Sequence, residues 1–361
     1  AASWSGMVFL SAFTTKTSVY TLIRGFPGEE MLIYIGLFMV FYGIIMALLE
    51  NDMRRILAYS IINQVGFMVT AVGIGTPLAL DGAAAHAFAH IIYKALLLMS
   101  AGSVLYATGR SKCTEVGGLY RYMPISCICG TIGALAISAL PLTSGFTSKS
   151  LISSASGYEG MLWVWLALYA ASAGVFFHAG IKFPWFVFFN RKDYLYLHEG
   201  TPKDPPWNMR AAMIFLSALC IILGIWAAPL YAMLPNGAMI KGHVYQAYTL
   251  EHVLTQLQLL FFSGLAFFLL LDWMKRTDTI TLDIDWLWRG MPRLFTDKMA
   301  MGLALKWDEI RDRLDIALQR LFEGLFRHHG PEGALARTRP TGSTALWMTV
   351  ILSAFLVMSF F

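Results

Sequence analysis

The sequence predicts an all-α, polytopic helical membrane protein with about nine transmembrane helices. Of its 361 residues, 57% are hydrophobic and only 14% are charged, whereas an average soluble domain has about a quarter charged residues. Apolar stretches long enough to cross about 30 Å of hydrocarbon recur along most of the chain. Ten-residue segments of alternating hydrophobicity are absent, which disfavours a membrane β-barrel. This composition argues against an ordinary soluble enzyme, a disordered protein and a nucleic-acid binder.

The predicted spans follow one another through short connections that carry turn residues, as at residues 25–28 and 75–77. The fifth span is interrupted by Leu-Pro-Leu-Thr-Ser-Gly at residues 140–145, where proline removes a backbone donor. We therefore expect a broken helix there, with a simple proline kink as the alternative. The nine spans cover approximately residues 4–23, 31–49, 56–75, 83–107, 126–156, 161–189, 210–234, 251–272 and 343–361.

Basic residues are distributed unevenly between the two alternating sets of connections. One set holds 21 of the 27 Lys and Arg residues, and the other holds only Arg24 and Lys241. The positive-inside rule places the first set in the cytoplasm. The other four basic residues lie within spans, where a charge is costly and marks a functional pathway. All 22 acidic residues fall in connections, at span ends or after span eight, so these cations have no carboxylate partners within the spans. The four buried cations are Lys16, Lys94, Lys149 and Lys182.

Residues 282–330 differ from the spans because large apolar side chains alternate there with charges. Trp286, Trp288 and Trp307 belong to this pattern. It predicts one or two amphipathic helices on the cytoplasmic membrane interface, with a soluble linker as the alternative. A C-terminal transmembrane helix at residues 343–361 follows, and residues 1–272 form the main membrane domain.

Span four carries the strongest candidate site. His86, His90 and Lys94 recur at every fourth position, so they follow one helix face about 6 Å apart along the axis. Imidazole takes and releases protons near neutral pH, and a buried lysine has an adjustable proton affinity. We interpret this row as a proton relay bridged by water. The alternative is a set of interhelical hydrogen bonds.

Two eight-residue segments are internally similar and place further lysines in equivalent positions. Residues 11–18 read Ser-Ala-Phe-Thr-Thr-Lys-Thr-Ser, and residues 144–151 read Ser-Gly-Phe-Thr-Ser-Lys-Ser-Leu. Repeated halves with related ion sites are common among transporters, so Lys16 and Lys149 are proton-transfer candidates. His178 and Lys182 are weaker candidates for the proton path, because Lys182 could instead extend to the membrane surface.

Four segments within residues 1–190 carry a resemblance to a known family. Residues 8–20 read Val-Phe-Leu-Ser-Ala-Phe-Thr-Thr-Lys-Thr-Ser-Val-Tyr, and residues 52–60 read Asp-Met-Arg-Arg-Ile-Leu-Ala-Tyr-Ser. Residues 86–96 read His-Ala-Phe-Ala-His-Ile-Ile-Tyr-Lys-Ala-Leu, and residues 139–149 read Ala-Leu-Pro-Leu-Thr-Ser-Gly-Phe-Thr-Ser-Lys. The chain resembles the antiporter-like subunits of complex I and of Mrp antiporters, and most of all the D-type Mrp subunit.

The resemblance implies inverted repeats with broken helices and a line of Lys, His and Glu along the membrane midplane. Lys16 would match the lysine of the first broken helix, and Lys149 the terminal position of the line. His86, His90 and Lys94 would match its centre. The family's intramembrane Glu would precede residue 1, so we interpret the chain as the C-terminal portion of a longer protein. Span two has no Lys or His, so the link from Lys16 to span four would depend on water or hydroxyl groups.

The leading functional hypothesis is a proton-translocating subunit of a multisubunit Na⁺/H⁺ antiporter in a bacterial inner membrane. Its expected partners are other subunits, the lipid bilayer, H⁺ and Na⁺, with no nucleic acid and no resident cofactor. The alternative is a proton-pumping subunit of complex I or a membrane hydrogenase, and in neither case would this chain perform the redox step. A purely structural scaffold is disfavoured by the four lysines within the spans.

Overall fold

The computed structural model describes residues 3–190, 200–240, 242–274, 293–330, 333 and 340–360. The chain divides into two units, Ala1–Thr281 and Leu282–Phe361. The described residues are mainly helical, and their strands are limited to a small hairpin, β1 Met239–Ile240 with β2 His243–Val244. The predicted all-α class is therefore confirmed.

The first unit is a bundle of apolar helices with distorted segments between some of them. Its α-helices are α1 Trp4–Phe9, α2 Thr15–Gly25, α3 Met31–Leu49, α4 Met53–Ile74, α5 Pro77–Thr108, α6 Pro124–Ile137, α7 Ser144–Tyr158, α8 Leu162–Val175, α9 Trp207–Ile225, α10 Ala228–Ala232, α11 Leu250–Leu269 and α12 Leu271–Met274. Three π-helical segments, Leu10–Thr14, Phe176–Lys182 and Trp185–Phe189, and one 3₁₀ turn, Leu119–Arg121, complete it.

Seven helices of the described residues are long and apolar enough to cross a membrane. They correspond in order to predicted spans two, three, four, six, seven, eight and nine. The first predicted span is a continuous helical run in which the π segment Leu10–Thr14 separates α1 from α2. The fifth is broken: α6 ends at Ile137, α7 begins at Ser144, and Ala139 and Leu142 between them have positive φ. The structure thus has a break rather than a simple kink, and the chain is an integral membrane protein.

The predicted alternation of connections is observed as two separate groups of loop contacts. At one end, the Met53 amide donates to the Ser111 carbonyl at 2.9 Å, and Asp204 accepts hydrogen bonds from the Ile125 and Ser126 amides at 3.0 Å. These residues flank or lie in the connections rich in Lys and Arg. Which side of the membrane this end faces stays a prediction.

The opposite end is closed by its own contacts. The Gly28 amide donates to the Val72 carbonyl at 2.9 Å, which joins the connection before α3 to the end of α4. Asp81, in the second turn of α5, accepts hydrogen bonds from the Asn236 and Ala238 amides at 3.1 and 2.7 Å. This buried carboxylate therefore fixes the connection between α10 and α11 against α5.

Helices α3 and α4 approach closely because glycines line their interface. A Cβ atom built on Gly36 would lie 2.4 Å from Thr70 Oγ1 and 2.5 Å from the Thr70 amide nitrogen. A Cβ atom on Gly66 would lie 2.6 Å from the Gly36 carbonyl oxygen. In hydrocarbon, helices associate through such close packing of small residues rather than through burial of apolar surface.

In the second unit, α13 spans Arg293–His329 and α14 spans Thr341–Phe360. Part of the predicted amphipathic segment is thus one 37-residue helix, which includes Trp307. Trp286 and Trp288 lie outside the described residues. The location of this segment on the membrane surface stays a prediction.

We predict that Gly36→Ala destabilises the protein by about 1–3 kcal/mol, because the added methyl group forces α3 away from the α4 backbone. The measurement is the thermal midpoint of the purified protein in detergent. Gly302→Ala is the control, since a Cβ atom at Gly302 in α13 meets nothing within 4 Å. Equal midpoints for the two variants would contradict the proposed close packing.

Candidate functional site

The predicted row of titratable residues lies on one uninterrupted helix. His86, His90 and Lys94 all belong to α5, and each has 0% of its surface exposed. The ring centroids of His86 and His90 are 6.4 Å apart. Helix α5 begins at an N-cap where Thr76 Oγ1 accepts a hydrogen bond from the Ala79 amide. The regular backbone therefore holds the row on one face, as the spacing predicted.

His86 is held by hydrogen bonds from two neighbouring helices. Its Nδ1 lies 3.0 Å from Ser148 Oγ on α7, and its Nε2 lies 3.1 Å from Gln64 Oε1 on α4. Tyr93 OH donates to the same Gln64 Oε1 at 3.1 Å. Gln64 in turn donates to Asn63 Oδ1 through a short hydrogen bond, which fixes the direction of its amide group. His86 therefore connects α4, α5 and α7.

His90 and Lys94 have a different environment. No hydrogen-bond partner among the described residues reaches either ring nitrogen of His90 or Nζ of Lys94. The ring of Tyr93 packs edge-on against His90 with centroids 5.2 Å apart. Because buried polar atoms are almost always hydrogen-bonded, we expect these three nitrogens to be paired by water or by a group outside the described residues.

Lys149 lies directly after the break between α6 and α7. Its Nζ donates to the Ile137 carbonyl, the last of α6, at 2.9 Å and lies 4.7 Å from the centroid of the Phe67 ring. The last carbonyls of a helix lack intrahelical partners, so the lysine satisfies one that the break exposes. His86 binds the residue before Lys149, and its ring centroid lies 6.3 Å from that of the same Phe67. The α5 row and this lysine therefore share a buried region around Phe67.

Lys16 has a related arrangement at the other repeat segment. Its Nζ donates to the Ser11 carbonyl at 2.8 Å and to Thr15 Oγ1 at 3.1 Å. Ser11 lies in the π segment Leu10–Thr14, where the regular ladder of hydrogen bonds is disturbed. The two internally similar segments therefore share a physical feature: each lysine follows a helix irregularity and binds a backbone carbonyl there. The first irregularity is a π segment, not the break that the resemblance implies.

Lys182 caps a neighbouring helix. Its Nζ donates to the carbonyls of Ala47, Leu48 and Glu50 at 2.6, 2.9 and 2.9 Å, at the C-terminal end of α3. The side chain is fully buried, and its partners lie at the end of α3 that adjoins the basic connection at residues 50–55. The alternative of extension to the membrane surface stays a prediction. His178, in the same π segment, pairs Nδ1 with the Gly174 carbonyl at 2.8 Å.

Three side chains that contact the row have no relay role in the sequence-based hypothesis: Gln64, Tyr93 and Ser148. Gln64 joins α4 to α5, as a helix-packing residue would. Tyr93 precedes Lys94 and lies about one helical turn after His90. Helical periodicity could therefore have identified it as a neighbour of the row. Nothing in the sequence indicated a role for Ser148 except its position directly before Lys149. Within the described ranges, no group of three or more His, Cys, Asp or Glu side chains has a geometry that could hold a metal ion.

We predict that Lys182→Met lowers stability without lowering proton flux per assembled complex. The change leaves the buried carbonyls at the end of α3 without their donor, at about 1–3 kcal/mol for an unsatisfied buried group. The thermal midpoint and normalised flux are the measurements, and Lys112→Met, on a half-exposed loop lysine, is the control. Lost flux at unchanged stability would instead place Lys182 on the proton path.

The chain is similar to several known membrane proteins. Residues 1–176 match the family described as NADH:quinone oxidoreductase/Mrp antiporter, TM. The D-type subunit of the Na⁺/H⁺ antiporter of Alkalihalophilus pseudofirmus is 33% identical over 235 residues, which is 60% of this chain and 45% of that protein. NADH-ubiquinone oxidoreductase chain 5 of Mycosarcoma maydis is 30% identical over 234 residues, 61% of this chain and 34% of that protein.

A solved structure supports the fold. A chain of the Mrp complex from a Dietzia species superposes with a TM-score of 0.60 and 21% identity, covering 98% of this chain and 37% of that one. This chain thus spans less than half the length of each of these three proteins. The matched segment contains Lys16, the row on α5 and Lys149. The predicted resemblance is confirmed: residues 1–176 match the NADH:quinone oxidoreductase/Mrp antiporter transmembrane family.

Proposed function

We propose that this chain conducts protons within a multisubunit Na⁺/H⁺ antiporter, along a line formed by Lys16, the α5 row and Lys149. The observation that carries the proposal is the hydrogen bond between His86 and Ser148, the neighbour of Lys149. It joins His86 on α5 to the residue before Lys149 on α7, and both candidate proton carriers lie beside the buried Phe67 ring. Intramembrane ionisable groups are expensive and recur along proton pathways.

The hydrogen bonds of His86 suit both of its protonation states. Gln64 Oε1 only accepts, so Nε2 of the neutral ring carries the hydrogen, and Nδ1 accepts from the Ser148 hydroxyl. When Nδ1 gains a proton, Ser148 can rotate and donate instead to the Ser144 carbonyl, 2.9 Å away. His86 can therefore gain and lose a proton without leaving a buried polar atom unpaired.

His90 and Lys94 suit the water-bridged part of the line. Their three nitrogens have no described partner, and a water molecule in a protein interior needs such polar groups around it. Hydrated groups spaced along α5 allow a proton to move between neighbours in single steps. Lys94, which makes no described hydrogen bond to the backbone, differs in this respect from Lys16 and Lys149.

We further propose that the exchanged cation binds in another subunit. Na⁺ prefers oxygen ligands such as carboxylates, and the groups at the described site are amines and imidazoles. Asp81 is occupied by the connection between α10 and α11. We propose that the chain works with partner subunits in the bilayer of a bacterial inner membrane. In this arrangement the basic connections and residues 282–330 lie on the cytoplasmic side.

A second candidate is a proton-pumping subunit of a redox complex, and the relative from Mycosarcoma maydis favours it. The same row would serve there, with the redox step performed by other subunits. Neighbouring genes for small antiporter subunits favour the first function, whereas neighbouring genes for dehydrogenase subunits favour the second.

We predict that Lys149→Ala abolishes ion-coupled proton flux in vesicles while the complex still assembles, because it removes the proposed carrier that follows His86 along the line. The measurement is flux normalised to assembled protein. Lys112→Ala is the matched control, since this half-exposed lysine pairs with Glu115 on a loop. Normal flux in assembled Lys149→Ala complex is incompatible with the proposal.

We predict that His86→Ala, His90→Ala and the double variant all lower normalised flux to a similar floor. Residues that act in series on one path have non-additive effects, because removing either one already interrupts it. A packing role gives a different pattern, with separate losses of assembly and preserved flux per assembled complex. That second pattern would count against the relay.

A further inference from the structure

Lys149 and His252 lie on the wall of the same cavity. The cavity, of about 20 Å³, has room for about one water molecule. Gln256 on its wall donates to the Ser138 carbonyl in the break at 3.0 Å. Its polar lining comes from Lys149, Ser150, Ser153, Tyr169, Ser172, His252 and Gln256.

His252 links this cavity to the connection between α10 and α11. Its Nε2 lies 3.4 Å from Ser154 Oγ, and its Nδ1 lies 3.3 Å from the Ala247 carbonyl and 3.4 Å from Tyr245 OH. Ser154 Oγ and Tyr245 OH are 2.7 Å apart. Helix α11 begins at Leu250, so His252 lies in its first turn, at the end of the bundle where Asp81 fixes this connection.

The contacts of His252 indicate which of its ring nitrogens can accept a proton. A backbone carbonyl only accepts, so Ala247 favours the neutral ring with its hydrogen on Nδ1. Nε2 is then the basic nitrogen, on the side of Ser154. Burial raises the pKa of Tyr245 to about 12, so its phenol stays protonated and supplies a hydroxyl rather than a charge.

We propose that His252 is the next proton carrier after Lys149, leading to the end of the bundle formed by the connection between α10 and α11. This inference rests on the proposed function. The proton leaves Nζ of protonated Lys149, crosses the cavity on water and binds Nε2 of His252. Release from the ring to solvent at that end restores neutral His252. No electrons move, and Lys149 is left neutral to accept the next proton from the direction of His86.

The test uses the assembled complex in vesicles, with flux normalised to assembled protein. His252→Gln keeps hydrogen-bonding groups but cannot carry a proton, so we expect a drop of at least about tenfold. His252→Ala should show the same loss, and added imidazole should restore its flux. His243→Gln is the matched control, because His243 is an exposed histidine of the same connection, and its flux should equal that of the unmodified complex.

Three outcomes overturn the inference: normal flux in His252→Gln, low flux in His252→Ala that imidazole does not restore, or an equal loss in His243→Gln. The second outcome would assign His252 a structural role. Lys149→Ala, measured in parallel, separates the two proposals. If it keeps normal flux, the proposed function fails. If it abolishes flux while His252→Gln is normal, only the role of His252 fails.

Discussion

Every backbone carbonyl within hydrocarbon needs an internal donor, and the buried lysines of this protein supply several of them. Lys16 binds a carbonyl of the first π segment, Lys149 binds the last carbonyl of α6, and Lys182 binds three at the end of α3. An irregular backbone and a buried amine thus stabilise each other. The distorted helices depend on this pairing, and it fixes where the candidate proton carriers lie.

Lys94 does not bind a backbone carbonyl in this way, which suggests that its role differs from that of the other buried lysines. It lies on the regular helix α5, whose carbonyls already have helical partners, and neither it nor His90 has a described hydrogen-bond partner. His86, by contrast, is held by Gln64 and Ser148. The proposed path is therefore anchored at His86, and we propose that water pairs the nitrogens of His90 and Lys94 further along α5. In this proposal Lys16 and Lys149, at the irregular segments, lie toward the two ends of the path.

Much of this arrangement is predictable from the sequence because it follows from local spacing. The row on α5 follows from helical periodicity, and the break before Lys149 from Pro141 and Gly145. Contacts between helices are harder to predict. The three carbonyls that bind Lys182 lie more than 130 residues away in the chain, and the contacts of His252 with Ser154 and Tyr245 depend on how a loop folds back. No periodic pattern in the sequence predicts contacts between residues so far apart in the chain. Lys182 was therefore only a weak candidate for the proton path, and His252 was missed.

We propose that His90 and Lys94 form a hydrated part of a proton path. A cryo-electron-microscopy map of the assembled complex in lipid, at a resolution that shows ordered water elsewhere in the bundle, tests it most directly. We expect water density within hydrogen-bond distance of the ring nitrogens of His90 and of Nζ of Lys94, in a file that continues toward His86. Dry apolar packing around both side chains, or direct hydrogen bonds from a neighbouring protein that leave no room for water, would contradict it.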